Sequence, residues 1–245
     1  MRTANPTLRP EVFQQAGLSD RGLTMTVSGV VQKTSILILL AMITASFTWG
    51  LGPRNPMLMP LSMGAALIGL VVALVTIFKK AWSPVTAPIY ALIEGVFLGG
   101  ISLIFETSYP GIVPQAVGLT FGTLFAMLMA YQSGLIKVTE KFKLGVAAAT
   151  GSIFLVYMIS MVLGFFGVRI PLIHEAGMVG IGFSLFVVVI AAMNLVLDFD
   201  MIEQGARGGA PKFMEWYAGF GLLVTLVWLY MEILRLLAKL RGGRR

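Results

Sequence analysis

The sequence predicts an all-α integral membrane protein, a bundle of seven transmembrane helices. Three observations predict it. The 245-residue chain is 57% hydrophobic and only 12% charged, about half the charged fraction of a soluble domain. Its mean hydropathy of +0.88 leaves too little polar surface to face water. Seven apolar runs follow one another, each near the roughly 20 residues that cross a hydrocarbon core. Backbone groups in lipid must bond internally, and these runs lack the alternation of barrel strands, so they are helices.

The elements follow in order. Residues 1–33 form a polar arm carrying Arg2, Arg9, Arg21 and Lys33. It reads as a solvated cytoplasmic segment that orients the first helix and offers a handle to a partner. The first apolar run begins near Ser35, too late for a secretory leader. The runs fall at 35–52, 58–78, 86–106, 112–132, 144–166, 177–199 and 216–238. Breakers separate them: Gly52-Pro53, Ser83-Pro84, Tyr109-Pro110-Gly111 and Gly208-Gly209-Ala210-Pro211, each disfavouring helix continuation. Residues 34–240 therefore form one membrane domain, followed by a basic tail at 241–245. Lipid is its first partner.

Orientation follows from the basic residues. Eleven Lys/Arg lie in the arm and in the alternate loops holding Lys79, Lys80, Lys137, Lys141, Lys143, Arg207 and Lys212, whereas the opposite loops hold only Arg54 and Arg169. The positive-inside rule places the first group, and the N-terminus, in the cytoplasm. The C-terminus conflicts with this. Seven crossings put it outside, yet it carries Arg235, Lys239, Arg241, Arg244 and Arg245. Either the last helix crosses against the rule or it is re-entrant; its length and apolarity favour a crossing.

Composition also excludes chemistries. No cysteine is present, so disulfides, iron–sulfur clusters and thiol catalysis are out. His174 stands alone in "RIPLIHEAG" and reads as an exposed loop residue. No paired catalytic acids in a recognisable setting and no His-rich metal motif occur, so no enzyme and no resident cofactor are expected. The net charge of +7 lies in loops and tails, which does not suit nucleic acid. Small residues cluster at Gly95, Gly99 and Gly100, at Ala147 to Gly151, and at Gly177, Gly180 and Gly182; close helix packing accounts for them.

The acids within spans carry the functional signal. Glu94, Asp198 and Glu232 fall inside or at the ends of apolar runs, where a charge costs about 2.5–3.5 kcal/mol on insertion scales. Such groups face a bundle interior, a partner or water. Asp198 and Asp200 point about 200° apart on a helix, so they cannot line one surface. Asp198 shares its stripe with Asn194, marking an interior face and a polar path; Asp200 is the interfacial acid, and Glu203 belongs to the loop. Glu232 shares a stripe with Thr225, Trp228 and Arg235, and a partner on another helix is expected for it. Glu94 has no basic neighbour within a turn. It divides evenly between a structural hydrogen bond and a place on the path. Two interior carboxylates that met would share a proton and, deprotonated, would offer oxygens to a hard cation such as Ca²⁺.

The segments "LVLDFDMIEQG", "GAPKFMEWYAGFGLLVTLVWLYMEILRLL" and "YALIEGVFLGGIS" resemble the Bax inhibitor-1/YccA family (transmembrane Bax inhibitor motif proteins), especially its bacterial branch. The resemblance implies a central last helix wrapped by six others. It implies a pH-sensitive calcium leak gated by one acid on each of the last two helices, matching Asp198 and Glu232, with transient Ca²⁺ at these acids. Glutamate replaces the family's usual aspartate at the second position. A basic latch at the end of the second helix would correspond to Lys79 or Lys80, which lack arginine's bidentate fork. Some bacterial relatives bind a membrane-bound ATP-dependent (AAA) protease, which the N-terminal arm would serve here. The resemblance favours a bacterial inner or plasma membrane. Two alternatives stay open: an interaction protein regulating a protease or stress response, and a proton-coupled transporter using the same acids.

Overall fold

The computed structural model describes residues 24–166 and 177–243. The arm up to residue 23, His174, Arg169 and the last two arginines lie outside the described residues. Among the described residues the chain forms seven long helices: α1 Val27–Gly50, α2 Leu58–Phe78, α3 Ser83–Ser108, α4 Ile112–Gln132, α5 Glu140–Phe165, α6 Met178–Arg207 and α7 Met214–Gly242. All seven are long and apolar enough to span a membrane. A 3₁₀ turn at Lys80–Trp82 leads into α3. At the α3–α4 turn, Gly111 takes φ 78°, a left-handed conformation that a side chain would strain.

Helix α7 is the centre. It packs against α6, α1, α4 and α3, while α2 rests mainly on α3 and α5 mainly on α6. Leu229, Leu234 and Glu232 on α7 have no exposed surface. The outward residues are apolar as well, among them Leu67, Phe78, Phe154 and Leu185, as lipid requires. The family resemblance's wrapped last helix is thus present, with four helices forming the close wrap and two standing outside it.

Both ends of α7 are pinned. At its start, Ser83 Oγ donates to the Phe213 carbonyl at 3.0 Å. At its end, Arg241 donates to the carbonyls of Tyr109 at 3.2 Å and Pro110 at 2.7 Å, and to Gln115 at 2.9 Å. The start of α3 therefore meets the start of α7, and the end of α3 meets the end of α7. The last helix runs unbroken from face to face. Its length and unbroken course beside α3 suit a crossing rather than a re-entrant segment.

Helix α1 begins at Val27, inside the stretch assigned to the arm from sequence. The reason is local. Thr26 caps it, accepting from Gly29 N at 2.9 Å, as N-cap threonines do. The buried Glu215 of α7 then accepts from Thr26 N at 3.0 Å and Thr26 Oγ1 at 2.9 Å and from Lys212 at 2.8 Å. Met25 N donates to the Ala210 carbonyl at 2.7 Å. Seven residues of the arm, Val27 to Lys33, are thereby drawn into helix by a tether that lies far away in sequence.

Small residues explain the tight half of the bundle. A Cβ at Gly95 would overlap the Ala41 carbonyl, one at Gly99 the Ala45 carbonyl, and one at Gly100 the Ser62 hydroxyl. This brings α1, α3 and α2 close, the usual way helices associate where lipid gives no hydrophobic drive. The same expectation fails for Gly151 on α5 and for Gly177 and Gly182 near the start of α6, where only Gly180 is buried. Gly151, Gly177 and Gly182 have nothing near a would-be Cβ, because α5 touches only one helix closely.

Gly99→Ala is expected to destabilise by about 1–3 kcal/mol, the range for overpacking. Gly118→Ala, with open space at its Cβ, is expected to be neutral or to gain up to about 1 kcal/mol in helix propensity. Thermal unfolding of the two variants in detergent checks the order.

A buried carboxylate site along the last three helices

Asp198 lies nine residues before the end of α6, about 14 Å of helix from that face. Its side chain turns toward α7, within hydrogen-bond reach of Thr225. The Thr225 hydroxyl also lies 3.3 Å from the Gly221 carbonyl. Asp198 Oδ2 is buried with no hydrogen-bond partner among the described residues. Buried polar atoms are nearly always paired, so this oxygen stands out.

Asp200 points the other way, as the helical angle predicts. It forms an ion pair with Lys143 of α5 at 3.2 Å and accepts from Gln204 at 2.6 Å. Lys143 also pairs with Glu140 at 3.2 Å. Glu203 accepts from the Tyr131 hydroxyl of α4 and from Arg207. Both acids belong to the end of the bundle, and each is balanced there.

Glu232 is fully buried and fully engaged. Arg235 reaches it at 2.6 Å, and the Tyr157 hydroxyl of α5 lies 3.0 Å from each of its oxygens. The Arg235 guanidinium sits 5.4 Å from the Tyr157 ring centre, a cation–π distance. A partner on another helix is present, but the pair three residues apart forms as well. The stem of Arg235 lies along the bundle while its head stays partly exposed.

Asp198 and Glu232 are not joined. Thr225 and Glu232 lie seven residues apart on α7, about 10 Å of rise, which sets the two acids at different depths. Each has its own partners rather than a shared one: Thr225 for Asp198, Arg235 and Tyr157 for Glu232. Asn194 lies between, donating to Thr150 of α5 at 2.8 Å and to the Ile190 carbonyl at 2.9 Å. Its place is a tie between α5 and α6.

Glu94 sits elsewhere. It is buried at the α2–α3 interface, its Oε2 beside Gly69, and it interacts with the Tyr90 hydroxyl one turn earlier. Tyr90 stacks edge-on against Phe220 of α7 at 5.0 Å. The structural hydrogen bond is the role its surroundings describe. Lys79 and Lys80 form no ion pair with Asp198; Lys80 lies over the Tyr217 ring at 5.5 Å. No group of three or more His, Cys, Asp or Glu side chains placed to share a metal ion occurs among the described residues.

Four contributors escaped the sequence reading: Lys143, Thr150 and Tyr157 on α5, and Glu215 on α7. The first three are seven residues apart in sequence, a spacing that was open to inspection but looks like ordinary scatter without a partner helix. Glu215 follows a loop and reads as solvated until the start of α1 folds over it.

Arg235→Gln would leave the buried Glu232 without its counter-charge. The expected loss is on the order of 1–3 kcal/mol, below that of a fully buried pair because the arginine head is partly exposed. Adding Glu232→Gln is expected to recover most of it. A double-mutant cycle by detergent unfolding measures the coupling.

The comparisons with known proteins agree with this architecture. A model of the family described as Bax inhibitor 1 like matches residues 5–242. No curated protein and no solved structure matches the chain. Seven spanning helices around a buried last one, with the family match running from the arm to the end of α7, make this chain a member of the Bax inhibitor-1-like family of membrane proteins.

Proposed function

We propose that this chain is a pH-sensitive cation leak, with calcium as its cargo, in which Asp198 and Glu232 act as separate stations. The observation that carries the reading is Asp198: a carboxylate oxygen buried in a membrane bundle with no partner. Charge at such a place needs a proton, a cation or a water path.

The surroundings support a division of labour. The charged and titratable groups on helices packed against α6 are engaged elsewhere. Lys143 pairs with Asp200, Tyr131 with Glu203, Tyr157 and Arg235 with Glu232, and Lys212 with Glu215. None supplies a counter-charge to Asp198. Glu232 has one in Arg235. On this reading Asp198 is the proton sensor and Glu232 the fixed anionic site. Protonated, Asp198 is neutral and the site stays closed. Deprotonated, it needs a cation or water, and the interface loosens to admit one. The basic asymmetry of the loops supports a cytoplasmic N-terminus, which puts Asp198 in the cytoplasmic half of the bundle. The resemblance to bacterial members supports an inner-membrane location.

Calcium flux into liposomes containing the purified protein tests this, measured across a range of pH. Flux is expected to rise with pH in the wild type. Asp198→Asn is expected to remove the pH dependence; Glu232→Gln is expected to lower the flux several-fold and keep its pH dependence. Well-folded protein without flux at any pH would end the leak reading.

A further inference from the structure

The bundle axis offers no route across. It is filled by α7, whose Leu229 and Leu234 are fully buried. A cavity of about 500 Å³ lies beside α7 between α1, α3 and α4, with walls such as Leu98, Val117, Phe121 and Leu226. Its one acid, Glu106, is occupied by the N–H groups of Gly111 and Val113. No α6 residue lines that cavity, so it does not connect with Asp198. Its walls suit hydrocarbon.

Polar groups instead accumulate on the other side of α7, in register. On α5, Lys143, Thr150 and Tyr157 are seven residues apart. On α7, Thr225, Glu232 and Lys239 are seven apart. Seven residues is close to two turns, so each set lines one face. Between the two faces, α6 supplies a polar partner at successive depths. Lys143 meets Asp200. Thr150 meets Asn194, one turn from Asp198, which faces Thr225. Tyr157 reaches past α6 to Glu232. Near the far face, Lys239 donates to Ser184 at 2.8 Å and the Gly180 carbonyl at 3.1 Å. From Lys143 to Tyr157 the column climbs about 21 Å of helix, and Lys239 extends it further.

The helix that closes this column is also the most weakly held. Among the described residues α5 packs mainly on α6 and is the least buried of the seven spans. Val146 and Ile153 are its buried apolar residues. Ala149 and the Tyr157 ring add apolar contact with α6, and the rest of its hold is polar: the contacts made by Lys143, Thr150 and Tyr157. Polar contacts are an ordinary glue between helices in lipid, each of modest strength, and along the least buried helix they are contacts that water can replace without unpacking a core.

We propose that the seam between α5, α6 and α7 is the path by which water and a hydrated cation cross this protein, and that α5 is its movable wall. This rests on the leak reading and gives it a route: the two acid stations lie along one column, and outward displacement of α5 wets both.

The absence of native cysteines makes the test clean. Thr150→Cys with Asn194→Cys places two thiols where the native side chains already touch. Oxidised, this variant is expected to lose at least tenfold of its calcium flux and to regain it on reduction. Equal flux in the two states overturns the seam. A second measurement does not depend on flux. Single variants Thr150→Cys, Leu155→Cys (on the outward face, 60% exposed) and Leu229→Cys (in the core) are exposed to a membrane-impermeant, water-soluble thiol reagent in liposomes. Thr150→Cys is expected to react at least ten times faster than the other two. If the wild type carries no flux, the leak reading fails while this labelling still decides the seam. Labelling of Thr150→Cys no faster than Leu155→Cys overturns it.

Discussion

A helix at the centre of a bundle in lipid has no face on which a charge is cheap, and the rest of this structure is arranged around that constraint. Helix α7 is surrounded by α1, α3, α4 and α6, yet it carries Glu215, Glu232, Arg235 and Lys239. Each is answered by a specific group. Glu215 is covered by the start of α1 and by Lys212. Glu232 takes Arg235 from its own helix and Tyr157 from α5. Lys239 takes oxygens at the start of α6. The positions of α1 and α5 are in large part consequences of these needs.

The bundle is held in two different ways. One half, α1 with α3 and α2, uses glycine to bring helices together, with Gly95 and Gly99 set against backbone carbonyls that cannot give way. On the other side α6 and α7 share the main apolar core, and α5 is added to them through a small apolar patch and polar contacts spaced along the seam. Dispersion between close backbones is stiff and indifferent to pH or ions. Hydrogen bonds and ion pairs in a low-dielectric setting are strong when complete and costly when broken. A protein that must stay assembled while one part responds to its surroundings gains from having both kinds of contact in separate places.

The two acids illustrate why depth matters as much as identity. Asp198 and Glu232 occupy the same interface region, but one has a counter-charge within 2.6 Å and the other has none. Equal chemistry sits in different settings: one carboxylate is paired with its arginine, and the other has no counter-charge beside it. Glu94, with a tyrosine beside it and no link to the column, stands outside this system.

By itself, the sequence determined the solvent, the number of crossings, the breaks between them and the candidate acids, because hydrocarbon imposes length and apolarity on every span locally. It also determined that Asp198 and Asp200 diverge, because helical angle is a local property. The registry between helices could not be read this way. Whether Glu232 meets Asp198 or Arg235, whether Asn194 lines a path or ties α5 to α6, and where α1 begins all depend on which turn of one helix lies beside which turn of another. That registry is set by contacts between residues far apart in the chain, such as Glu215 with Thr26 and Arg241 with the α3–α4 turn. In a membrane, where almost every face of every helix is apolar, hydrophobic pattern cannot choose among registers. Only the assembled bundle, with its few polar partners matched in depth, makes that choice.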